Sequence, residues 1–505
     1  MSVLHRFGHR VIQSVEQLFN RIFGNGWNPW YHLGSLSFFL FWIVLFSGLY
    51  LLIFFETSLS GAYPSVERMT HEQWWLGGIM RSLHRYASDG AVITVVLHAS
   101  REFFRDRYRG VRWFSWFTGV PTLWLVVLLG ISGYWLVWDA MAQYIAVTTA
   151  ELIDWIPILP GSMVFNFLEG NVSDRFFTLM SFLHLLALPV AMVFLLWTHV
   201  SRISQVDFMP PRGLAVGTSL ALLLLSLIKP ALSHGPANLS QIPEVLHLDW
   251  FYLNIYPVVD RFGAGTAWSL GIGITLVLMV LPWLPPQRPK PPAFVTLEQC
   301  NGCGQCAKDC PFGAVSMRPR TDGRDVSHEP TIKNSLCTSC GICVGSCVSS
   351  NPYRLSKTTL RSGMDMPHAS IDQLRTDLLT RLQQLTGPVR VLLIGCQHGA
   401  DLESLQDQQT AVLSLPCSGM FPPSLLDFAL KRGADGILIT GCRDGDCYYR
   451  IGNWLVDERL QGRREPHLLK RTDRQHIRVY RAAAADQDQL RQQLLALQGE
   501  LRCAR

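Results

Sequence analysis

The stretch RSLHRYASDGAVITVVLHASR, residues 81–101, decides how this chain folds. It is apolar toward its end but interrupted by His84, Arg85 and Asp89. At about 3.6 residues per turn, the interval from His84 to His98 is close to four helical turns. Both histidines then share one face, about 21 Å apart along the axis. That distance is most of a membrane hydrocarbon core of about 30 Å. A second pair, His184 and His199, is spaced one position wider and lies in a strongly apolar run. Ionisable residues inside membrane spans are rare and tend to be functional. Two facing ladders of this kind fit two haems, one near each membrane surface. The alternative is four buried histidines satisfied by backbone or hydroxyl groups.

Glycines repeat the spacing of the first pair. Gly34 and Gly48 are separated by the same interval as His84 and His98, and so are Gly119 and Gly133. Glycine lets a flat macrocycle approach a helix backbone, although each glycine alone fits close helix packing equally well. Arg81 precedes His84 by three residues and Arg101 follows His98 by three, placing both to meet haem propionates through charge-assisted hydrogen bonds.

Outward from this stretch, the 505 residues divide by composition. Apolar runs near or above the length of a membrane span fall at 35–55, 75–103, 114–138, 176–203, 214–233 and 264–284, which predicts an all-α transmembrane haem-binding bundle of about six spans. Residues 1–23 read as a basic amphipathic helix at the membrane surface or packed on the bundle, with no cleavable signal pattern. Arg101, Arg105, Arg107, Arg109 and Arg112 crowd the loop after the second span. Arg202 and Arg212 follow the fourth, and Arg288 and Lys290 the sixth. The positive-inside rule makes that side cytoplasmic. Both termini and the cysteine-rich tail then lie in the cytoplasm, where thiolates stay reduced.

Residues 28–204 resemble cytochrome b of the quinol-oxidising complexes. The resemblance rests on NPWYHLGS (28–35), RSLH (81–84), HASR (98–101), Gly119-Val120 and GISGYWLVWD (130–139). The wider spacing of His184 and His199 resembles the chloroplast-type branch. The resemblance implies that His84, His98, His184 and His199 are the haem ligands. The second and fourth spans run in the same direction, from outside to inside, so His84 is expected to pair with His184 on the outer side and His98 with His199 near the cytoplasm. Where that branch has a cysteine holding a further haem, this chain has His32, which fits a quinone contact or an interfacial hydrogen bond. Beyond 204 the resemblance thins over 205–286. LDWFY (248–252) is similar to the Pro-Glu-Trp-Tyr element of the outer quinol site, so Asp249 would accept the quinol proton; the alternative is a solvated loop charge.

Prolines 285, 286, 289, 291 and 292 form a stiff linker. Two cysteine runs follow: Cys300-x2-Cys303-x2-Cys306-x3-Cys310-Pro311 and Cys337-x2-Cys340-x2-Cys343-x3-Cys347. This is the two-cluster ferredoxin pattern, in which the fourth cysteine of each run serves the other cluster. It assigns one [4Fe–4S] to Cys300, Cys303, Cys306 and Cys347, and a second to Cys337, Cys340, Cys343 and Cys310. Zinc, the alternative, leaves the third and fourth cysteines of each run unexplained. The ferredoxin-like module is placed at 287–360.

Residues 385–485 read as a small α/β domain, with apolar strands at 389–395, 411–415 and 436–440 alternating with helical segments. Cys396, Cys417 and Cys442 follow the strand ends and Cys447 comes five residues later. Functional groups in open α/β sheets gather beyond the carboxyl ends of strands, so the four thiols are expected to converge. A [2Fe–2S] cluster is the best-fitting occupant; zinc or a disulfide pair is the alternative, and His398 is an alternative to Cys396 as ligand. CSG (417–419) and ADGILITGCRDGDCYYRIGN (434–453) resemble the delta subunit of methyl-viologen-reducing hydrogenases. That resemblance implies a cytoplasmic flavoprotein partner of the heterodisulfide-reductase or dehydrogenase type.

Together these readings predict an electron-transfer subunit of a quinone-linked oxidoreductase complex in the cytoplasmic (inner) membrane. Electrons pass between the flavoprotein and the quinone pool through [2Fe–2S], two [4Fe–4S] and two b haems. The alternatives are a membrane anchor and conduit without its own quinone site, and a redox sensor. No GxGxxG follows a strand, so no nicotinamide or flavin site is expected. No nucleic-acid partner is assigned, and a homodimer stays open.

Overall fold

A computed structural model describes residues 3–157, 162–168, 172–201, 206–241, 245–249, 251–284, 290–350, 362–444 and 446–503. Arg202, Trp250, Pro285, Pro286, Arg288, Pro289 and Gly445 lie outside the described residues. The chain divides into two compact units. One comprises Met1–Ile12, Leu18–Arg202 and Asp207–Pro286; the other comprises Gln13–Gln17, Ile203–Val206 and Gln287–Arg505.

The apolar runs and their punctuation set the helices of the first unit. The N-terminal pattern forms α1 (Val3–Trp27), with Phe7, Val11, Leu18 and Ile22 exposed. Then come α2 (Leu33–Phe54), α3 (Ala62–His71), α4 (Ile79–Phe104), α5 (Trp113–Val137) and α6 (Ala140–Asp154). They are followed by α7 (Met163–Leu168), α8 (Asp174–Phe182), α9 (Leu188–Val200), α10 (Arg212–Ile228), α11 (Tyr256–Phe262) and α12 (Ala264–Val280). A π-helical turn, Leu183–Ala187, joins α8 and α9 into one run. Helix α2 packs along α4, and α5 along α9.

Among the described residues, four helical runs are long and apolar enough to cross a membrane: Leu33–Phe54, Gly110–Val137, Asp174–Val200 and Ala264–Trp283. The other two expected spans fall short for different reasons. Helix α4 has the length, at 26 residues, but carries the charged and histidine side chains that the site uses. Helix α10 is apolar but only 17 residues long.

Helix α6 falls in a stretch with no span-length apolar run. Asp139 caps it, its Oδ1 accepting from the Ala142 amide at 2.9 Å. Met141, Ala142, Ile145 and Ala146 are buried on its inner face.

In the second unit β1 (Phe294–Val295) pairs with β4 (Met364–Asp365), and β2 (Val315–Pro319) with β3 (His328–Ile332), both antiparallel. Short helices α13 (Gln305–Lys308) and α14 (Ile342–Gly345) each hold the third cysteine of a run, Cys306 and Cys343. Helix α15 (Ile371–Gln383) starts at a capping box made by Ser370 and Gln373. A parallel sheet of order β6-β5-β7-β8 comes next, from β5 (Val391–Cys396), β6 (Thr410–Leu415), β7 (Gly436–Gly441) and β8 (Ile477–Arg481). Every residue of β5 and β7 is buried, as strands covered on both faces require. Helices α16 (Ser424–Lys431), α17 (Gly452–Leu460) and α18 (Gln487–Cys503) complete the unit.

One apolar core runs through this unit. It joins Val315, Val344 and Met366 beside the cysteine runs to Leu374, Ile394 and Leu425 of the α/β part. Leu490, Leu494, Leu497 and Leu501 of α18 belong to a second core with Val391, Leu393 and Leu438. The α/β part thus continues past residue 485.

Candidate functional site

The helix pairing brings the four histidines together in two pairs. His84 and His184 face each other with ring centres 6.3 Å apart. A metal–imidazole bond of about 2.0 Å, plus about 1.1 Å from ring nitrogen to ring centre, puts two rings on opposite sides of one metal about 6.2 Å apart. The pair therefore fits a bis-histidine haem site. His98 and His199 also lie within electrostatic reach of each other.

Each ring lies against one of the spaced glycines. A Cβ built on Gly48 would sit 2.9 Å from His84 Cε1, and one on Gly133 would sit 3.0 Å from His184 Cε1. The corresponding distances are 3.5 Å from Gly34 to His98 and 3.2 Å from Gly119 to His199. Three rings are oriented through Nδ1. His84 Nδ1 donates to the Val44 carbonyl at 2.9 Å and lies 3.2 Å from the Ser47 hydroxyl. Ser132 Oγ is 2.9 Å from His184 Nδ1, and Thr118 Oγ1 is 3.3 Å from His199 Nδ1. An imidazole held at Nδ1 presents Nε2 to a metal. These hydroxyls were missed in the sequence, where the signal was Ser47-Gly48, Thr118-Gly119 and Ser132-Gly133: a hydroxyl residue before three of the four glycines.

The unequal spacings also have a structural cause. His184 sits in the π-helical turn. A π turn closes i→i+5 and holds one residue more than an α turn. The interval from His184 to His199, one position longer, therefore covers the same turns as the interval from His84 to His98.

Around the histidines, Arg81 donates to Thr70 Oγ1 at 2.5 Å and Ser233 Oγ at 2.7 Å, and lies 3.5 Å from Glu67. Arg101 is buried, 3.4 Å from Glu102 and over the Tyr31 ring. His32 Nε2 lies 3.3 Å from the Gly26 carbonyl. Asp249 is tied to the surroundings of the His84–His184 pair. Its Oδ2 accepts from Arg85 Nη2 at 2.5 Å and Tyr134 OH at 2.7 Å, and its Oδ1 from the Phe251 amide at 2.5 Å. Arg85 follows His84 and Tyr134 follows Gly133, so this buried carboxylate is anchored one residue from each side of that site.

In the second unit each cysteine of the second run lies 37 positions after its counterpart, from Cys300 and Cys337 to Cys310 and Cys347. The local backbone repeats too. Gly302 and Ser339 both have positive φ (71° and 56°), as do Gly304 and Gly341 (73° and 76°). Burial and then the thiols of Cys347, Cys303 and Cys300 push the Cys306 thiol up to about 12. Burial foremost pushes Cys343 well above its ordinary value, with Cys340, Cys306, Cys310 and Cys337 adding to the rise. The crossing cysteines Cys347 and Cys310 thus stand among the thiols of the opposite run. Among the described residues no three His, Cys, Asp or Glu side chains close on a single point. Cys310, Cys337, Cys340 and Cys343 instead line one pocket together with Pro311, Ile342 and Met366, so the crossing cysteine of the first run shares a site with three of the second, as the two-cluster pattern requires.

At the carboxyl ends of β5, β6 and β7, Cys396, Cys417 and Cys442 meet Cys447. Cys396 Sγ and Cys442 Sγ are 3.8 Å apart, and Cys442 also contacts Cys447. A Cβ on Gly452 would lie 2.3 Å from Cys417 Sγ and 3.7 Å from Cys447 Sγ. None of the four is in a disulfide. His398 stacks on Tyr448, ring centres 3.7 Å apart, and its amide donates to Cys396 Sγ at 3.4 Å.

Comparison with known proteins agrees with this division. Residues 20–207 match the family model described as cytochrome b/b6/petB, residues 299–351 the 4Fe-4S dicluster domain, and residues 396–503 the delta subunit of methyl-viologen-reducing hydrogenase. Cytochrome b6 of Emiliania huxleyi is 28% identical over 180 residues, covering 35% of this chain and 83% of that protein. The cytochrome b subunit of menaquinol:cytochrome c reductase of Bacillus subtilis (strain 168) is 28% identical over 178 residues, covering 35% of this chain and 79% of that protein. A chain of a solved hyperthermophilic respiratory Complex III aligns with a TM-score of 0.44 and 19% identity, over 50% of this chain and 75% of that one. One chain thus carries, in order, a cytochrome b match, a 4Fe-4S dicluster match and a hydrogenase delta-subunit match.

Proposed function

We propose that the chain is a membrane electron-transfer subunit of an oxidoreductase complex, linking a cytoplasmic flavoprotein to the membrane quinone pool. The observation that carries this reading is the two histidine pairs, each ring seated against a glycine of a neighbouring helix. Haem and iron–sulfur groups bound to the chain would supply the one-electron chemistry. The chain's own residues supply ligands and position. His84 with His184 and His98 with His199 are the proposed axial pairs for two b haems, with Arg81 and Arg101 for their propionates. The two crossed cysteine sets are proposed for two [4Fe–4S] clusters, and Cys396, Cys417, Cys442 and Cys447 for a [2Fe–2S]. The side bearing the iron–sulfur domains is read as cytoplasmic from the arginines after α4.

This reading sets a cofactor count. Two haem irons, eight irons in two [4Fe–4S] clusters and two in a [2Fe–2S] give about twelve irons per chain, counted from the ligand sets. Metal and acid-labile sulfide analysis checks the total, and zinc in place of the last two irons would overturn the C-terminal assignment. All haem should extract into acidified acetone. Haem left on the protein would mean a covalent attachment that His32 does not provide.

The quinone end is tested at Asp249. Its proposed role is to take a proton from quinol, which requires the carboxylate to leave Arg85 and Tyr134. Asp249→Asn keeps the shape but not the basicity. It is expected to slow haem reduction by added quinol by about 100-fold or more, in the range general-base catalysis supplies, without changing reduction through the iron–sulfur side. Stopped-flow haem absorbance measures both. Equal quinol rates in the two proteins would remove Asp249 from the proton path, and failure of quinol to reduce haem in either protein would favour the conduit without a quinone site. The full engagement of Asp249 with Arg85, Tyr134 and the Phe251 amide supports that second reading.

A further inference from the structure

Arg459, near the end of α17, is 1% exposed. Its Nη1 donates to the Gly419 carbonyl at 2.8 Å. Its Nη2 donates to Ser346 Oγ at 2.6 Å and Asp309 Oδ2 at 3.1 Å. Ser346 Oγ also donates to Asp309 Oδ2 at 2.7 Å, and Asp309 Oδ1 accepts from Arg464 Nε at 2.6 Å. The three acceptors of Arg459 lie on three cysteine-bearing segments. Asp309 and Ser346 immediately precede Cys310 and Cys347, the crossing members of the two runs, and Gly419 follows Cys417 by two residues.

The segments are packed without slack. A Cβ on Gly345 would lie 2.2 Å from the Gly419 carbonyl oxygen, and one on Gly341 would lie 2.4 Å from Met420 Sδ. The turn Ser418–Met420 is thus wedged between α14 and α17. Cys417 feels the Cys340 thiol as well as those of its own quartet.

A buried ion pair is weak support for stability, because desolvation offsets most of its attraction; what it can supply is a unique arrangement. The planar guanidinium reaches acceptors in three directions, which the single ammonium of lysine does not. We infer that Arg459 is a positioning residue that seats the Cys396, Cys417, Cys442 and Cys447 quartet against the Cys310, Cys337, Cys340 and Cys343 set, making that set its neighbour. The inference rests on the proposed reading of both as iron–sulfur sites.

The test uses the whole chain, purified with its iron and reduced by dithionite, as wild type, Arg459→Lys and Ser346→Ala. Two readouts are taken: the magnetic interaction between quartet and dicluster signals in paramagnetic resonance, and hydrogen exchange over residues 342–346 and 417–421. Arg459→Lys is expected to keep the haem spectrum and iron content, weaken the interaction, and speed exchange in both segments together by about tenfold, as loss of a charge-assisted hydrogen bond predicts. Ser346→Ala should move both readouts the same way by less. Unchanged interaction and exchange in loaded Arg459→Lys would overturn the inference, as would loosening confined to residues 452–460. If Arg459→Lys does not assemble, unchanged readouts in Ser346→Ala overturn it instead. If the wild type gives no quartet signal while Arg459→Lys still loosens both segments, the positioning role stands and the iron–sulfur reading of the quartet falls.

Discussion

Replacing His199 with leucine is expected to remove about half of the haem absorbance, because one of the two proposed ligand pairs loses a member. The His84–His184 pair should be untouched. His84 and His184 keep their Nδ1 contacts to Val44 and Ser132, and lie about 21 Å away by helical rise. Leucine suits the apolar run of α9, where the ring now rests on Gly119, so the helix itself should persist. The functional consequence is larger than the spectral one. In the proposed order the His98–His199 site stands between the iron–sulfur side and the outer site. Reduction of the outer haem from that side should slow sharply, while reduction by quinol should continue if Asp249 marks a working site. Stopped-flow spectra of detergent-solubilised protein separate the two. Unchanged transfer from the iron–sulfur side would show that the His98–His199 site is not on the path. Loss of both haems would show that His199 holds the bundle together rather than one centre.

The histidine and cysteine patterns were legible because they are spacings along regular elements. Spacing along a helix is fixed by its pitch, so Gly34, Gly48, Gly119 and Gly133 could be matched to the histidines before any packing was known. The one-residue excess between His184 and His199 could not be interpreted that way. It needs the π turn at Leu183–Ala187, which no propensity announces. Helix α6 was hidden for a different reason. Its run AMAQYIAVTTAELID carries polar residues on one face, so an apolarity search passes over it, although Asp139 is a plain helix-start signal. Strand β8 carries two arginines, Arg478 and Arg481, in five residues (IRVYR) at the edge of a parallel sheet, where none of its residues is fully buried, and it gives no continuous apolar run. Arg459 was illegible because its partners lie 40, 113 and 150 residues away. A buried ion pair leaves no periodic trace in the chain.

A Cys417→Ser chain is expected to stop electron input from the proposed flavoprotein partner while keeping the full haem spectrum. The choice of a point change follows from the packing. Deleting residues 385–505 would seem the direct way to remove the C-terminal site, but Val315, Val344 and Met366 beside the cysteine runs share one core with Ile394, Leu413 and Leu425. Each such side chain contributes about 1.5–3 kcal/mol through burial, so the truncation would unsettle the dicluster module too, and its loss of transfer would be uninformative. Cys417 is 1% exposed and sits where β6 ends, in a turn fixed by the close approach of Gly452 and Gly419. Serine nearly preserves its volume and removes a soft thiolate ligand. Iron should fall by about two atoms if the quartet holds a [2Fe–2S], with the remaining iron and the haem unchanged. Transfer from the reduced flavoprotein partner to haem should drop to background, while quinol still reduces haem at the wild-type rate. A Cys417→Ser protein that accepts electrons from the partner at full rate would place electron input elsewhere in the second unit, at the dicluster cysteines themselves.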